Sequence, residues 1–388
     1  MKFSKEVQES PTLSLAEIAR KRKQAGKKVI SFAVGEPDFK TPEFIIKATI
    51  KALKEGYTGY STPQGLIELR IAIKEDYKKR YNANYSEEEI IVFPGAKAAI
   101  FASLASLLEK DDEVIIISPY YVSYPPLIKL AEVESKIIEI PLRKDFKLPI
   151  DKIKAAITKQ TKLLILNYPN NPTGQLLTKQ EVKELVQIIK EKEIYLLADE
   201  IYDQLIFEGE TFVSFSGFKE IKDQLIIING FSKAYAMTGF RIGYALANKD
   251  LVKKMNLFNQ NTNTNTNTFV QRGCLAIYEN DKGHLATYLK QLQKKVNYLD
   301  KQIKTIPYLT GIKPRSTFYY FVDISKTQQG SQTFSKYLIE RHGIVATPGK
   351  AFGKKWDNYL RLSLALPLEE IKEAVKILKT MELKKTIK

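Results

Sequence analysis

The middle of the chain alternates short apolar runs with longer stretches in which polar and apolar residues mix. Seven runs read as strands: EIIVF (89–93), EVIIIS (113–118), SKIIEI (135–140), KLLILN (162–167), IYLLAD (194–199), QLIIIN (224–229) and RIGYAL (241–246). Several are continuously apolar rather than alternating, the pattern of a strand covered on both faces. Helical patterns lie between them. PGAKAAIFASLASLLEK predicts a helix beginning near Ala96, and TKQEVKELVQIIKEKE offers Thr178 as N-cap with Glu181 as its capping-box partner. Strands alternating with helices argue for an α/β fold, a mostly parallel sheet with helices on both sides.

The texture changes near residue 285. A long helical pattern, HLATYLKQLQKKVNYLDKQIKTI, leads to TFYYFVDIS, a helix near TFSKYLIERHG, then IVATPG, YLRLSLA and a terminal helix. These elements predict a smaller α+β domain with the N-terminal segment folded against it. The expected division is 1–45, 46–285 and 286–388. One low-complexity run, NTNTNTNT (261–268), fits an exposed strand, a disordered stretch or an ordered polar segment near a site or interface.

Composition narrows the class. The chain has 388 residues, 44% hydrophobic and 27% charged, ordinary values for a folded protein of this length. No run approaches eighteen apolar residues, so no membrane span is expected. The N-terminal stretch carries acidic residues and no apolar core of a signal peptide, and Cys274, the single cysteine, has no intrachain partner. A cytoplasmic protein is expected. The net charge of +17 comes from lysines dispersed among Glu and Asp rather than gathered in a stripe, so no nucleic-acid partner is expected.

Candidate chemistry sits where strands end. In an open α/β sheet, ligands bind beyond the C-terminal strand ends. There the chain places Asn171 in YPNNPTG, Asp199 and Tyr202 in LADEIY, Ser232 and Lys233 in GFSK, and the turn PGAK. Asp199 closing an apolar strand is costly unless paired, which fits either a cap or a partner for a cationic ligand nitrogen. Gly95, Ala96 and Lys97 at a helix start offer N–H groups to a phosphate, with Ser232 and Arg241 as further donors. No GxxxxGK[ST] loop is present. Lys233, sheltered and near cations, can act as a nucleophile toward a phosphorylated aldehyde cofactor.

Together these segments resemble the class I aminotransferases, fold type I enzymes dependent on pyridoxal 5'-phosphate. NNPTG, ADEIY and GFSKAYAMTGFRIG carry the resemblance, with VGEPDF, YSTPQGLIELR, SPYYVSYPP and YLRLSLA in family order over nearly the whole chain. The branch it is most similar to is the microbial aspartate and aromatic aminotransferases. The resemblance implies a seven-stranded, mostly parallel sheet in the large domain and a homodimer with shared active sites. Lys233 resembles the Schiff-base lysine, Asp199 the partner of the pyridinium nitrogen, and Tyr202 and Asn171 the donors to the cofactor's phenolic oxygen. Ser232, Arg241, Gly95, Ala96 and Lys97 resemble the phosphate cup, and Tyr121 the residue stacked on the ring. Arg361 resembles the clamp on the substrate carboxylate, and Gly35 a backbone contact near it. Tyr60 resembles the tyrosine that reaches the neighbouring subunit's cofactor phosphate.

The chain departs from the family pattern in places. Gly230 stands where several relatives have a phosphate-binding serine. No arginine lies between Arg241 and Arg272, a stretch from which some aspartate-specific relatives bind the distal carboxylate. Ser14, Lys97 or an asparagine of the NTNTNTNT run could replace it. The resemblance implies amino transfer between an L-amino acid, aspartate foremost, and 2-oxoglutarate. An aromatic amino acid aminotransferase and a pyridoxal-phosphate-dependent lyase are the alternatives. No metal is expected.

Overall fold

The computed structural model describes residues 11–281 and 283–381. Its strands, in chain order, are β1 (Ile30–Ser31), β2 (Ile90–Phe93), β3 (Glu113–Ser118), β4 (Lys136–Pro141), β5 (Thr161–Asn167), β6 (Tyr195–Asp199), β7 (Leu225–Gly230), β8 (Gly243–Leu246), β9 (Thr310–Gly311), β10 (Tyr319–Asp323), β11 (Ile344–Val345), β12 (Thr347–Pro348) and β13 (Tyr359–Ser363). Seven of them form one sheet in the order β2-β8-β7-β6-β5-β3-β4, parallel except for β8. The chain has an α/β fold with the expected seven-stranded, mostly parallel sheet. All seven strand readings fall on these strands, within two residues at each end.

The apolar runs are continuous because both sheet faces are covered. Ile90, Val92, Leu164 and Leu166 point into one core, while Ile91, Phe93, Leu163 and Ile165 point into the other. Each fully buried aliphatic side chain contributes roughly 1.5–3 kcal/mol against exposure. The helices Ala96–Leu107 and Lys179–Lys192 start as expected, and Thr178 Oγ1 accepts the Glu181 N–H in a complete capping box.

Register explains which residues meet. Asn167 of β5 lies opposite Asp199 of β6, and Asp199 opposite Ile228 of β7. Strand β8 runs the other way, and its first residue, Gly243, pairs with Phe93 at the end of β2 and Gly230 at the end of β7. The turn before β8 therefore arrives at the same sheet edge as the C-terminal ends of its neighbours. RIGYAL begins the strand two residues late for this reason: Arg241 takes φ +53 in that turn and does not belong to the strand.

A second, four-stranded antiparallel sheet has the order β12-β13-β10-β9. β1 pairs in parallel with β11, and the Phe32 carbonyl accepts the Ser363 N–H at 2.8 Å, so the 30–32 segment is fastened to the C-terminal elements. The NTNTNTNT run is ordered: it ends the helix Lys249–Thr262, turns, and begins the helix Thr268–Asn280. Its side chains hold the 59–65 loop, with Asn265 Nδ2 donating to Ser61 Oγ (3.1 Å) and Thr268 Oγ1 to the Gly59 carbonyl (2.7 Å). No helix of the described residues is long and apolar enough to cross a membrane.

Candidate active site

A cavity of about 380 Å3 opens beyond the C-terminal ends of β5, β6 and β7. It is lined by Lys233, Asp199, Tyr202, Asn171, Ser232, Arg241, Ala96, Lys97, Tyr121, Gly35 and Arg361, so residues spread over more than three hundred positions converge. Gly95 lies just behind this lining. The exception is Tyr60, which stands 88% exposed and takes no part in the cavity of its own chain.

Lys233 follows β7 on an irregular turn. Its Nζ donates to the Gly35 carbonyl at 2.6 Å. Burial lowers its affinity for a proton, Glu36 opposes this, and Arg361 adds to it, bringing its pKa down to about 8. A sheltered amine with that affinity is neutral in about one molecule in ten at pH 7, against roughly one in a few thousand for an ordinary lysine, so it can serve as a nucleophile and base. Gly35 lines the cavity with Arg361, and its carbonyl also meets the lysine.

Asp199 closes β6 and is 4% exposed. Burial pushes its carboxyl up to about 6, against the lowering effect of the Tyr124 hydroxyl, which donates to Oδ2 at 2.7 Å. Its other oxygen accepts the Ile201 N–H at 3.3 Å. A buried carboxyl held this way gains from a cationic nitrogen placed against it. Asn167 braces the site from the neighbouring strand: Nδ2 donates to the Asp199 carbonyl (2.9 Å) and Oδ1 accepts the Asn171 N–H (2.9 Å).

The helix start at Ala96 faces the cavity. The N–H groups of Ala96 and Lys97 have no acceptor within the helix. Gly95 differs from expectation: its N–H already donates to the Phe93 carbonyl at 2.6 Å. Its part is spatial. With φ +95, a Cβ there would lie 2.4 Å from Arg241 Nη2, so glycine lets the guanidinium lie against the helix start. Arg241 Nη1 also donates to the Thr238 carbonyl at 2.9 Å. Gly230 has a similar explanation. A side chain there would meet Gly243 Cα at 2.9 Å, so the packing of β7 against β8 leaves no room for serine.

Arg361, on β13, is 3% exposed and has no carboxylate partner among the described residues. Nη1 donates to Asn171 Oδ1 (3.2 Å), and Nη2 to the Ala33 carbonyl (3.2 Å) and Thr347 Oγ1 (3.4 Å). Nε is buried with no partner among them. The Tyr319 and Phe352 rings lie 4.3 and 5.3 Å from its central carbon. A buried guanidinium paired only with neutral acceptors is costly, and an incoming carboxylate supplies the missing charge. Because Asn171 accepts through Oδ1, its amide N–H groups remain donors.

Sequence reading missed several contributors. Tyr124 and Asn167 orient Asp199 and Asn171, while Tyr319 shares a 3.2 Å hydroxyl contact with Tyr202 and lies over Arg361. Glu36 reaches the cavity and accepts from Thr238 Oγ1 at 3.0 Å. The polar ending of KLLILN was the one available signal, for Asn167.

A lysine amine, a strand-end acid, a helix start with free N–H groups and a buried guanidinium thus face one cavity. The profile of the family described as Aminotransferase class I and II matches residues 27–378. The chain belongs to this family. It is 35% identical over 388 residues to the aspartate aminotransferase of Bacillus subtilis, covering 98% of each chain. Its structure is similar to the Thermus thermophilus aspartate aminotransferase with maleate, at a TM-score of 0.91, 30% identity and 97% coverage of both chains. It is also similar to the aromatic aminotransferase of Pyrococcus horikoshii, at a TM-score of 0.88 and 32% identity, covering 93% of this chain and 97% of that one. Family membership makes the strand-end chemistry that of an aminotransferase, with amino and 2-oxo acids as its substrates.

Proposed function

We propose that the protein is a pyridoxal 5'-phosphate-dependent aspartate aminotransferase using 2-oxoglutarate as acceptor. The observation that carries this reading is the pairing of a covalent-capable amine, Lys233, with a buried guanidinium, Arg361, that lacks an anion, in one cavity. The donor set fits the cofactor. Ser232, Arg241 and the N–H groups of Ala96 and Lys97 would hold its phosphate, Gly95 gives the guanidinium its space, and Tyr121 would face its ring. The buried Asp199 carboxyl suits a protonated ring nitrogen, and Tyr202 and Asn171 would donate to its phenolic oxygen. When bound, the cofactor supplies an electron sink for charge developing at the substrate Cα.

The chain's own groups do the rest. Lys233 would hold the cofactor covalently through Nζ, and with substrate bound that amine would be free to act as a base. Arg361 fixes the substrate α-carboxylate, which orients the Cα–H bond toward Nζ. The neutral Nζ would take the Cα proton and return it to the carbon on the far side of the substrate nitrogen, so that water releases a 2-oxo acid and the amino group stays behind. Asp199 would hold the proton on the ring nitrogen. Fixed geometry converts these into neighbour-to-neighbour transfers.

A second copy of the chain is part of the proposal. Tyr60 is exposed and does not line its own cavity, on a loop clasped by the Asn/Thr segment, which suits a residue that serves a partner's site. Ile50, Leu53, Tyr57, Ile67, Ile71 and Leu257 are exposed and give a homodimer apolar surface to bury. The domain division at 45 and 285 is also proposed, supported by the pairing of β1 with β11. A cytoplasmic location is consistent with a single cysteine, Cys274, free and buried.

Aspartate is proposed because relatives carry that name and one was solved with maleate, a dicarboxylate. Lys97, whose Nζ lies 5.8 Å from the Tyr121 ring centre, is the cation available in the cavity for a distal carboxylate. The side chain of Ser14 lies outside the described residues. The aromatic reading is favoured by the tyrosines of the cavity and by the Pyrococcus relative. A panel of amino donors against 2-oxoglutarate decides between them. Aspartate is expected to exceed phenylalanine and tyrosine in kcat/KM, and amines without an α-carboxylate to react poorly. The reverse order replaces aspartate by an aromatic substrate.

A further inference from the structure

His284 lies outside the cavity, just before the helix Leu285–Ile303. Both its ring nitrogens meet oxygens. Nε2 is 2.7 Å from the Ala234 carbonyl, and Nδ1 is 3.0 Å from each oxygen of Asp281. The ring stacks on Tyr235 with centroids 4.4 Å apart and planes 20° apart. The Tyr235 hydroxyl in turn donates to Asp281 Oδ2 at 3.0 Å. Asp281 Oδ1 also accepts the N–H groups of Gly283 and His284, at 2.9 and 3.1 Å. Burial pushes the Asp281 carboxyl up, but the hydrogen bonds from the His284 ring and backbone outweigh it and hold the acid below its usual range.

Ala234 directly follows Lys233. The turn around them has little regular hydrogen bonding to set its shape. Tyr235 N–H donates to the Phe231 carbonyl at 3.1 Å, and Ala236 takes φ +51, unusual for a residue with a Cβ. The Ala236 carbonyl is tied by Thr41 Oγ1 at 2.7 Å. Side chains from elsewhere in the chain therefore fix this backbone, and His284 grips the carbonyl nearest the reactive amine. We propose that His284 is a positioning residue for Lys233, locking the peptide after it so that Nζ is aimed into the cavity, with Asp281 and Tyr235 orienting the imidazole. This rests on Lys233 being the cofactor-linked lysine, and it adds a group that touches neither substrate nor cofactor.

The test uses H284F, which keeps an aromatic ring against Tyr235 and loses both ring nitrogens, and H284Q, which keeps a donor near the Nε2 position. Borohydride reduction of the loaded wild type and peptide mapping come first. An adduct on Lys233 upholds the parent reading, and an adduct elsewhere overturns both. With the adduct on Lys233, H284F is expected to lower kcat about tenfold or more, with KM for the amino acid within about twofold, because a misaim well under 1 Å is costly. It is also expected to slow covalent linkage to added pyridoxal 5'-phosphate, followed by absorbance, and to raise deuterium uptake by residues 231–238 in the cofactor-free protein. H284Q is expected to restore all three. Wild-type kcat and linkage rate in H284F overturn the proposal, as does a lowered Tm with unchanged kinetics. Should H284F not fold, Asp281→Asn, which removes the anchor of the ring, is read in the same assays with the same two outcomes.

Discussion

At the scale of single residues, Asp199 shows how a group costly to the empty protein serves the loaded one. Its carboxyl is raised from the ordinary 3.8 to about 6 by burial, a difference of about 3 kcal/mol. The sign follows from linkage. A folded-state value above the unfolded one contributes stability that is fully present below about pH 4 and is lost as the pH climbs through about 6. Asparagine cannot ionise yet still accepts from the Tyr124 hydroxyl. Cofactor-free D199N is therefore expected to exceed the wild type in urea-unfolding stability by up to about 3 kcal/mol at pH 8, and to approach it near pH 3.5. A pH-independent difference would mean that burial is not what strains the acid. Arg361 is likewise buried, and its guanidinium has no carboxylate partner among the described residues.

At the scale of elements, the site depends on how closely the helix Ala96–Leu107 approaches β8. A Cβ on Gly243 would lie 2.4 Å from the Ala96 nitrogen and 2.9 Å from its Cα. G243A must push the helix start away from the sheet edge, and with it the N–H groups proposed for phosphate. Cofactor affinity in G243A, measured by fluorescence titration, is expected to fall at least about tenfold. T178A removes the N-cap of a helix remote from the cavity and is expected to cost about 1 kcal/mol of stability with affinity unchanged. Equal affinities in the two variants would contradict the proposed phosphate site.

The same elements show what was legible in the sequence. The strands were readable because both faces of the sheet are buried and their residues are uniformly apolar. The Thr178 box was readable because its chemistry is local. The direction of β8 left no local mark, since GYAL has the same composition whichever way it runs, and that direction brings Arg241 to the cavity. Tyr124 was hidden among neighbours: three tyrosines in PYYVSY look alike until β6 sets Asp199 beside one of them. Lys233, Asp199 and Arg361 stood out through motif rather than spacing. Three-dimensional neighbours such as Tyr319 and His284 carried no such signal.

At the scale of the whole molecule, the cavity joins residues of the seven-stranded sheet to Arg361 of the smaller one and to the 33–36 segment fastened beside it. Tyr60 is the outlier, and a homodimer with shared sites gives it a place. Mixing inactive K233A chains with Y60F chains is expected to raise activity above the sum of the two variants alone, because the mixed dimer holds one site with Lys233 and Arg241 from one chain and Tyr60 from the other, once each variant is shown to fold. Absence of complementation in mixed dimers confirmed by native mass spectrometry would contradict shared sites.

The most direct test of the central claim is a single-turnover balance. Loaded protein is given excess aspartate with no 2-oxo acid, and the products are counted against subunits. Amino transfer by Lys233 predicts one equivalent of oxaloacetate per subunit, no free ammonia, and a stop that 2-oxoglutarate relieves with formation of glutamate. Sustained release of ammonia or an elimination product without an acceptor would contradict it and move the protein among the lyases.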